Sequence, residues 1–247
     1  MRISIDDGRL LPRAEVDEMQ TFRRSIMRMK PEVDLDLDHA RFSSFVTRCP
    51  LVMRARCREG VLRGTFVARW VEGESEGRKW RLVLPEYGFF HPTLRGTGAV
   101  PFAIARTIVA APGIFVGREL LLGGVFYPTG LLALEGVFGA PQFADDPTLD
   151  PVERDCVARV IDEIAGPRFD PATGRVTMPT RPPPPSARWF TRMERRATFR
   201  AYTGRCPNWL DGHALPGLLR LRARSAGVAT ARAMRRSLER RWAGDGA

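Results

Sequence analysis

Lysine is nearly missing from this chain: of 39 basic residues, only Lys30 and Lys79 are lysine, and the rest are arginine. So strong a bias means that an arginine count alone says little about any one site. Cysteine is sparse too. Cys49, Cys57, Cys156 and Cys206 form no Cys-x-x-Cys pair, and His39, His91 and His213 are scattered. That excludes a zinc-type metal spacing and gives no disulfide framework, so buried, reduced thiols and a cytoplasmic location are expected. A long apolar run is also lacking. The greasiest window, 119–140, is broken by glycines, Pro128 and Glu135, and reads as a buried strand and helix rather than a membrane span. Acids stand early in the N-terminal stretch with no apolar core segment, which argues against a secretory leader and for a soluble protein. No internal repeat stands out.

What is present is an ordinary globular balance, 44% hydrophobic and 27% charged over 247 residues, with a net charge of +11. The charge is uneven: from residue 186 onward 14 Arg face 4 acids, a net +10. Periodicity predicts an amphipathic helix over 14–30 and a shorter one over 39–47. Alternation around a Glu-Gly turn at 59–60 predicts a hairpin over 51–71, and 79–90 reads as the next strand, with Pro85 marking a bulge or an edge. A helix follows the glycine turn, with Val100, Ala103, Ile104, Thr107 and Ile108 on one face. Then come a strand over 117–128, a short apolar helix over 129–139, a loop, and a helix over 151–166 striped by Val152, Cys156, Val157, Val160 and Ile164. The fold class expected is α/β, a mixed sheet with one strand–turn–helix unit at its middle.

That unit is "GFFHPTLRGTGAVPFAIARTIV", residues 88–109. Arg95, Gly96, Thr97 and Gly98 stand between a strand and a helix. Two readings stand: a tight turn that needs glycine, or a phosphate cradle of backbone N–H groups at a helix N-terminus, with Arg95 adding a bidentate charge. The stretch resembles the acyl-CoA-binding motif of the GNAT superfamily of N-acyltransferases, a central strand followed by Arg/Gln-x-x-Gly-x-Gly/Ala and a helix. Arg95 and Gly98 match; Val100 stands where Gly or Ala is usual, and its side chain is positioned to crowd a pyrophosphate. The hairpin before it and "RELLLGGVFYPTGLLALEGVFG" after it resemble the family's flanking elements, so the likeness spans about residues 40–140. A bacterial GNAT-like branch is the group expected.

The resemblance implies a GNAT-like acyl-CoA N-acyltransferase fold, acyl-CoA or acetyl-CoA as co-substrate, and no metal. It implies a V-shaped gap between two diverging parallel strands, with a backbone N–H of Phe89 or Phe90 polarising the thioester carbonyl. Residues 89, 90 and 95–100, the last including Ala99 and Val100, would then hold the co-substrate. Acyl transfer to an amine needs a base for the amine and an acid for the leaving thiolate. Glu86 on the central strand is the candidate base, against an exposed strand residue. Tyr127 at the end of the next strand is the candidate acid, against a packing aromatic. Glu135, set in an otherwise apolar helix, is a third candidate. His91 reads as a structural hydrogen-bonder.

Three segments complete the organisation: a GNAT-like domain over 1–180, a stiff linker at "RPPPPS" over 181–186, and a basic, mostly helical extension over 187–247. Within the extension, 206–217 reads as a Pro/Gly-rich loop. Residues 219–242 form a narrow apolar stripe (Val228, Ala231, Met234, Leu238, Trp242) ringed by arginine. A solvated helix, a contact with anionic lipid and a contact with nucleic acid all fit it. The function expected is acyl transfer to an amine on a small molecule or peptide in a ternary complex. The alternative is a non-catalytic GNAT-like binding protein whose basic tail engages an anionic partner.

Overall fold

The computed structural model describes residues 2–94, 99–110 and 118–220. Strand β1 (Arg2–Asp6) leads to helix α1 (Arg13–Ile26), a two-residue strand β2 (Arg28–Met29) and helix α2 (Leu35–Val46). A meander follows, β3 (Leu51–Arg56), β4 (Leu62–Ser75) and β5 (Arg78–Phe90), and then helix α3 (Ala99–Val109). Next are β6 (Glu119–Phe126), α4 (Pro128–Phe138), the short β7 (Gln142–Phe143) and α5 (Pro151–Val160), which runs on into a π-turn, Ile161–Ala165. The short strands β8 (Phe169–Asp170), β9 (Arg175–Thr177) and β10 (Thr180–Arg181) precede α6 (Ala187–Glu194), α7 (Ala197–Arg205) and β11 (His213–Arg220).

Among the described residues the main sheet runs β1–β3–β4–β5–β6–β11–β9–β8, with β7 also on β11, and β2 and β10 pair apart from it. All its neighbours are antiparallel except β5 and β6. Side chains on the two faces of the strands separate two layers. On one face Met53, Phe66, Val83 and Leu122 pack with Ala103 and Ile104 of α3, Leu131 of α4 and Phe199 of α7. On the other, Val52 and Val67 meet Val16 and Met19 of α1 and Phe42 of α2, while Leu82, Leu84 and Leu121 meet Val152, Cys156 and Val160 of α5. Arg23, 1% exposed, fixes α1 to α2 through two bonds to Asp38 of 2.8 and 2.9 Å. α5 starts on a capping box: Asp150 and Glu153 each accept the other's backbone N–H at 2.9 Å. Its close seat on the sheet depends on Gly123, where a Cβ would stand 2.6 Å from Val160 Cγ2 and 2.8 Å from Leu82 Cδ1.

Several boundaries differ from the sequence reading. α1 stops at Ile26, and Arg28–Met29 is strand. α2 begins at Leu35 rather than 39, because Asp34 caps it by accepting from the N–H groups of Asp36 and Leu37; its first turn buries no apolar side chain, so periodicity missed it. Residues 182–186 of the expected linker form neither helix nor strand, whereas the described part of the expected extension, 187–220, joins the fold. Thr180–Arg181 is strand, α6 and α7 pack on the core, and the segment read as a loop over 206–217 ends in β11, paired to β6 from Leu215 to Arg220. Pro216 disguised that strand. It lies between the blocks paired to β9 (213–214) and to β7 (217–218), where that side of β11 asks for no donor. No described helix is long and apolar enough to cross a membrane.

Candidate functional site

β5 and β6 run parallel but pair only over Trp80–Val83 and Glu119–Leu122. Beyond that point β5 stays with β4 to Phe90, whereas β6 pairs with β11 out to Phe126. The two strands therefore part at their C-terminal halves, which leaves a gap in the ladder between them. Pro85 ends the pairing: it has the same orientation as Val83, two residues earlier, but carries no N–H to continue the ladder. One residue on, the register against β4 slips, with Val67 opposite Tyr87 and Ala68 opposite Pro85, which leaves Glu86 as the extra residue of a bulge.

The bulge sets both the backbone and the side chain of this strand. His91 N–H donates to the Arg63 carbonyl at 2.8 Å, so the odd-numbered amides 87 and 89 face β4 and those of Gly88 and Phe90 face the gap. Of the two expected donors, Phe90 is the one whose N–H is free of the β4 ladder. Glu86 projects from the α1/α5 face with its side chain 11% exposed, 3.3 Å from Arg69. The same guanidinium donates to Glu163 at 2.9 Å, a residue carried there by the π-turn at the end of α5. Burial pushes the Glu86 carboxyl up to about 7; Arg69 and Arg168 oppose the rise and Glu163 adds to it. Cys49 lies close by, and burial with the Glu86 charge pushes its thiol up to about 12.

Tyr127 caps α4 at the end of β6 and donates its hydroxyl to the Thr180 carbonyl at 2.6 Å. Burial raises its pKa, and Arg168 pulls against that rise as it does at Glu86 and Tyr87. Arg168 thus stands within electrostatic reach of both candidate groups. Its guanidinium is anchored on the carbonyls of Ala165, at 3.2 Å, and Ile164. Glu135 is elsewhere: it accepts from Thr198 and sits 3.6 Å from Arg196, tying α4 to α7 on the opposite face of the sheet. His91 accepts from the Thr93 N–H at 3.3 Å, a local turn contact. Val100 sits in the first turn of α3, which Ala99 opens, and packs against the hydrophobic core. Arg95, Gly96, Thr97 and Gly98 lie outside the described residues, as does the basic stripe beyond Arg220.

Arg69, Glu163 and Arg168 were not among the residues the sequence pointed to. Arg69 and Glu163 meet across a separation of 94 residues, and no local pattern announces such a pair. Among the described residues no group of three or more His, Cys, Asp or Glu is gathered as for a metal ion, and the four cysteines are free.

No family model matches the chain, and no curated protein matches it. Solved structures do. The aminoglycoside 6'-N-acetyltransferase AAC(6')-Ih of Acinetobacter baumannii is similar over 48% of this chain and 77% of that one, at 14% identity and a TM-score of 0.36. Arabidopsis thaliana NAA60 in complex with a bisubstrate analogue is similar over 59% and 89%, at 15% identity and a TM-score of 0.40. The ribosomal-protein-alanine N-acetyltransferase of Brucella melitensis is similar over 49% and 79%, at 17% identity and a TM-score of 0.35. The likeness is one of backbone arrangement over roughly half of this chain.

Proposed function

We propose that this chain is a GNAT-type N-acyltransferase that moves an acyl group from acyl-CoA to an amine by direct attack in a ternary complex. The observation that carries the reading is the parting of the parallel pair β5–β6, with the Phe90 N–H turned into the gap and Glu86 buried at the bulge beside it. In this scheme the thioester carbonyl enters the gap and accepts from the Phe90 N–H. The amine nitrogen attacks the carbonyl carbon, and the oxyanion that forms keeps that N–H as its partner, an interaction whose loss commonly costs ~3 kcal/mol. Glu86 takes the amine proton, directly or through one water, and with a pKa of about 7 it is half-ionised near neutrality, where a base works best. The C–S bond then breaks and the thiolate leaves.

Tyr127 is the acid assigned to that thiolate. Its proton must first leave the Thr180 carbonyl and its pKa is raised, so the gain it offers is small. Arg95 with Gly96, Thr97 and Gly98 is assigned to the pyrophosphate, with the α3 N-terminus at Ala99 and Val100 beside it. The partial packing of Val100 against the core supports the catalytic reading over a non-catalytic role.

The test joins binding to turnover. Calorimetric titration with acetyl-CoA and with a long-chain acyl-CoA should give micromolar affinity with one of them, lost in Arg95→Ala. With that donor and a panel of small amines and peptides, Glu86→Gln should lower kcat/KM a hundredfold or more with acyl-CoA affinity unchanged, and Tyr127→Phe less than tenfold. A folded protein that binds neither thioester overturns the reading.

A further inference from the structure

β1 ends the main sheet: it pairs with β3 from Arg2 to Asp6, and no described strand lies along its other edge. The direction of its backbone groups follows from the ladders behind it. His91 N–H donates to the Arg63 carbonyl, so Arg63, Thr65 and Val67 of β4 turn their backbone toward β5, and Gly64, Phe66 and Ala68 turn theirs toward β3. Alternation then turns Met53 and Ala55 of β3 toward β4, and Val52, Arg54 and Arg56 toward β1, where their partners are Asp6, Ser4 and Arg2. The N–H and C=O groups of Ile3 and Ile5 are left pointing away from the sheet, with no backbone partner among the described residues. Such an edge is a template for another strand, and proteins commonly blunt it with proline, lysine or a bulge. None of these stands between Arg2 and Asp6.

The side chains make this edge self-complementary. Outward from Ser4 the strand carries Ile3 and Ile5, then Arg2 and Asp6, of opposite charge. Charges of one sign at both ends would repel a second copy, whereas opposite charges at equal distances from the centre attract across a two-fold axis. Arg2 is exposed, lies opposite the like-charged Arg56, which Glu18 holds, and has no ion pair among the described residues. Asp6, with its side chain 36% exposed, accepts from Arg54 through Oδ2 at 2.8 Å, which leaves Oδ1 for a second donor. We propose that β1 pairs antiparallel with β1 of a second copy of this chain, with Ser4 on the two-fold axis and one sheet running through both protomers. Arg2 then faces the partner's Asp6, and Ile3 the partner's Ile5. Each Ile3–Ile5 pair exchanges both of its outward backbone bonds, and the isoleucines, half-buried against the α3 layer, cover one another. A slip of two residues either way keeps backbone bonds but sets Ser4 opposite Arg2 or Asp6 and loses the charge pairs. So short a strand makes a small interface, and the association is weak, micromolar or above. β3 and β4 stand between β1 and β5, so this surface is independent of the acyl-transfer reading.

Sedimentation equilibrium of the full chain, from micromolar to near-millimolar concentration, should show a reversible monomer–dimer equilibrium. Arg2→Glu, at an exposed position, sets like charges opposite each other at both ends of the paired strands. It should raise the dissociation constant tenfold or more while the circular dichroism spectrum stays unchanged. Ser4→Cys reads the register. The pair on the axis is of the non-hydrogen-bonded kind, with Cα atoms about 4.5 Å apart, within disulfide reach. Mild oxidation should therefore link the Ser4→Cys chain into a covalent dimer, and the parent chain oxidised in parallel reports any linkage through the half-buried Cys57. A chain that stays monomeric at every concentration, a dissociation constant untouched by Arg2→Glu, or a Ser4→Cys chain that links no more than its parent would overturn the proposal.

Discussion

Glu86 is where a local backbone irregularity becomes a titration property. The extra residue at the bulge turns its carboxyl inward, and burial lifts its pKa from 4.5 to about 7. The folded protein therefore keeps a proton that the unfolded chain releases, over the window from pH 4.5 to 7. Stability from this group is fully present below pH 4.5 and is lost as pH rises through 7, by roughly 3 kcal/mol at most. Glu86→Gln removes that loss. Urea melts across this range should show the variant gaining on the parent as pH rises, and a gap that does not change with pH would refute the inward, proton-holding carboxyl. The two neighbours act with opposite signs. Removing the cation in Arg69→Gln should raise the Glu86 midpoint, and Glu163→Gln should lower it; carboxyl-detected NMR or the acidic limb of a kcat/KM profile reads both. Position alone pointed to Glu86, because a glutamate on the central strand is legible in the sequence. Its partners were not, since they arrive from β4, the π-turn and the 166–168 turn, far apart in the chain.

At the scale of elements, the gap exists because β6 loses β5 after Leu122 while staying paired with β11 along its other edge. Gly123 and Gly124 are central to this: at Gly123 the sheet admits α5 and β11 side chains at once, and at Gly124 a Cβ would meet Phe126 and Pro85 at 3.1 and 3.3 Å. The apolar run over 119–126 was legible as a strand, and the close helix contact was not, because a missing side chain leaves no periodic signal. Gly123→Ala should destabilise by about 1–3 kcal/mol through overpacking against Val160 Cγ2 and Leu218 Cδ2. Val160→Ala alone should also destabilise, by leaving a cavity. In the double variant the two should partly cancel, giving a favourable coupling of about 1 kcal/mol or more in denaturant melts. Strict additivity would mean that α5 does not press on the sheet at this glycine. Gly124→Ala, with looser contacts at the mouth, should cost less.

Across the whole molecule, the C-terminal region finishes the sheet that holds the candidate site. β11 covers the edge of β6 that would otherwise lie open, with Ala214, Leu215, Leu218 and Leu219 buried, and α7 adds Phe199 and Tyr202, whose hydroxyl donates to the Phe126 carbonyl at 2.7 Å. Arg220, at the end of β11, meets Asp150 and Glu153 and so ties the strand to the cap of α5. Proline and glycine made 181–186 and 206–217 read as linker and loop; Arg181 at the start of the first pairs with β2, and the end of the second, from Leu215, pairs with β6, both partners lying far back in the chain. A chain cut after residue 186 should therefore lose its fold rather than an appendage. The unsheathed β6 would present unpaired backbone and an apolar face, a combination that favours association. Thermal melts should show no cooperative transition, with dye binding typical of exposed apolar surface already at 25 °C. A truncated chain that melted cooperatively within a few degrees of the full chain would show instead that the first 186 residues close their own core, and that the site between β5 and β6 stands without β11 beside it.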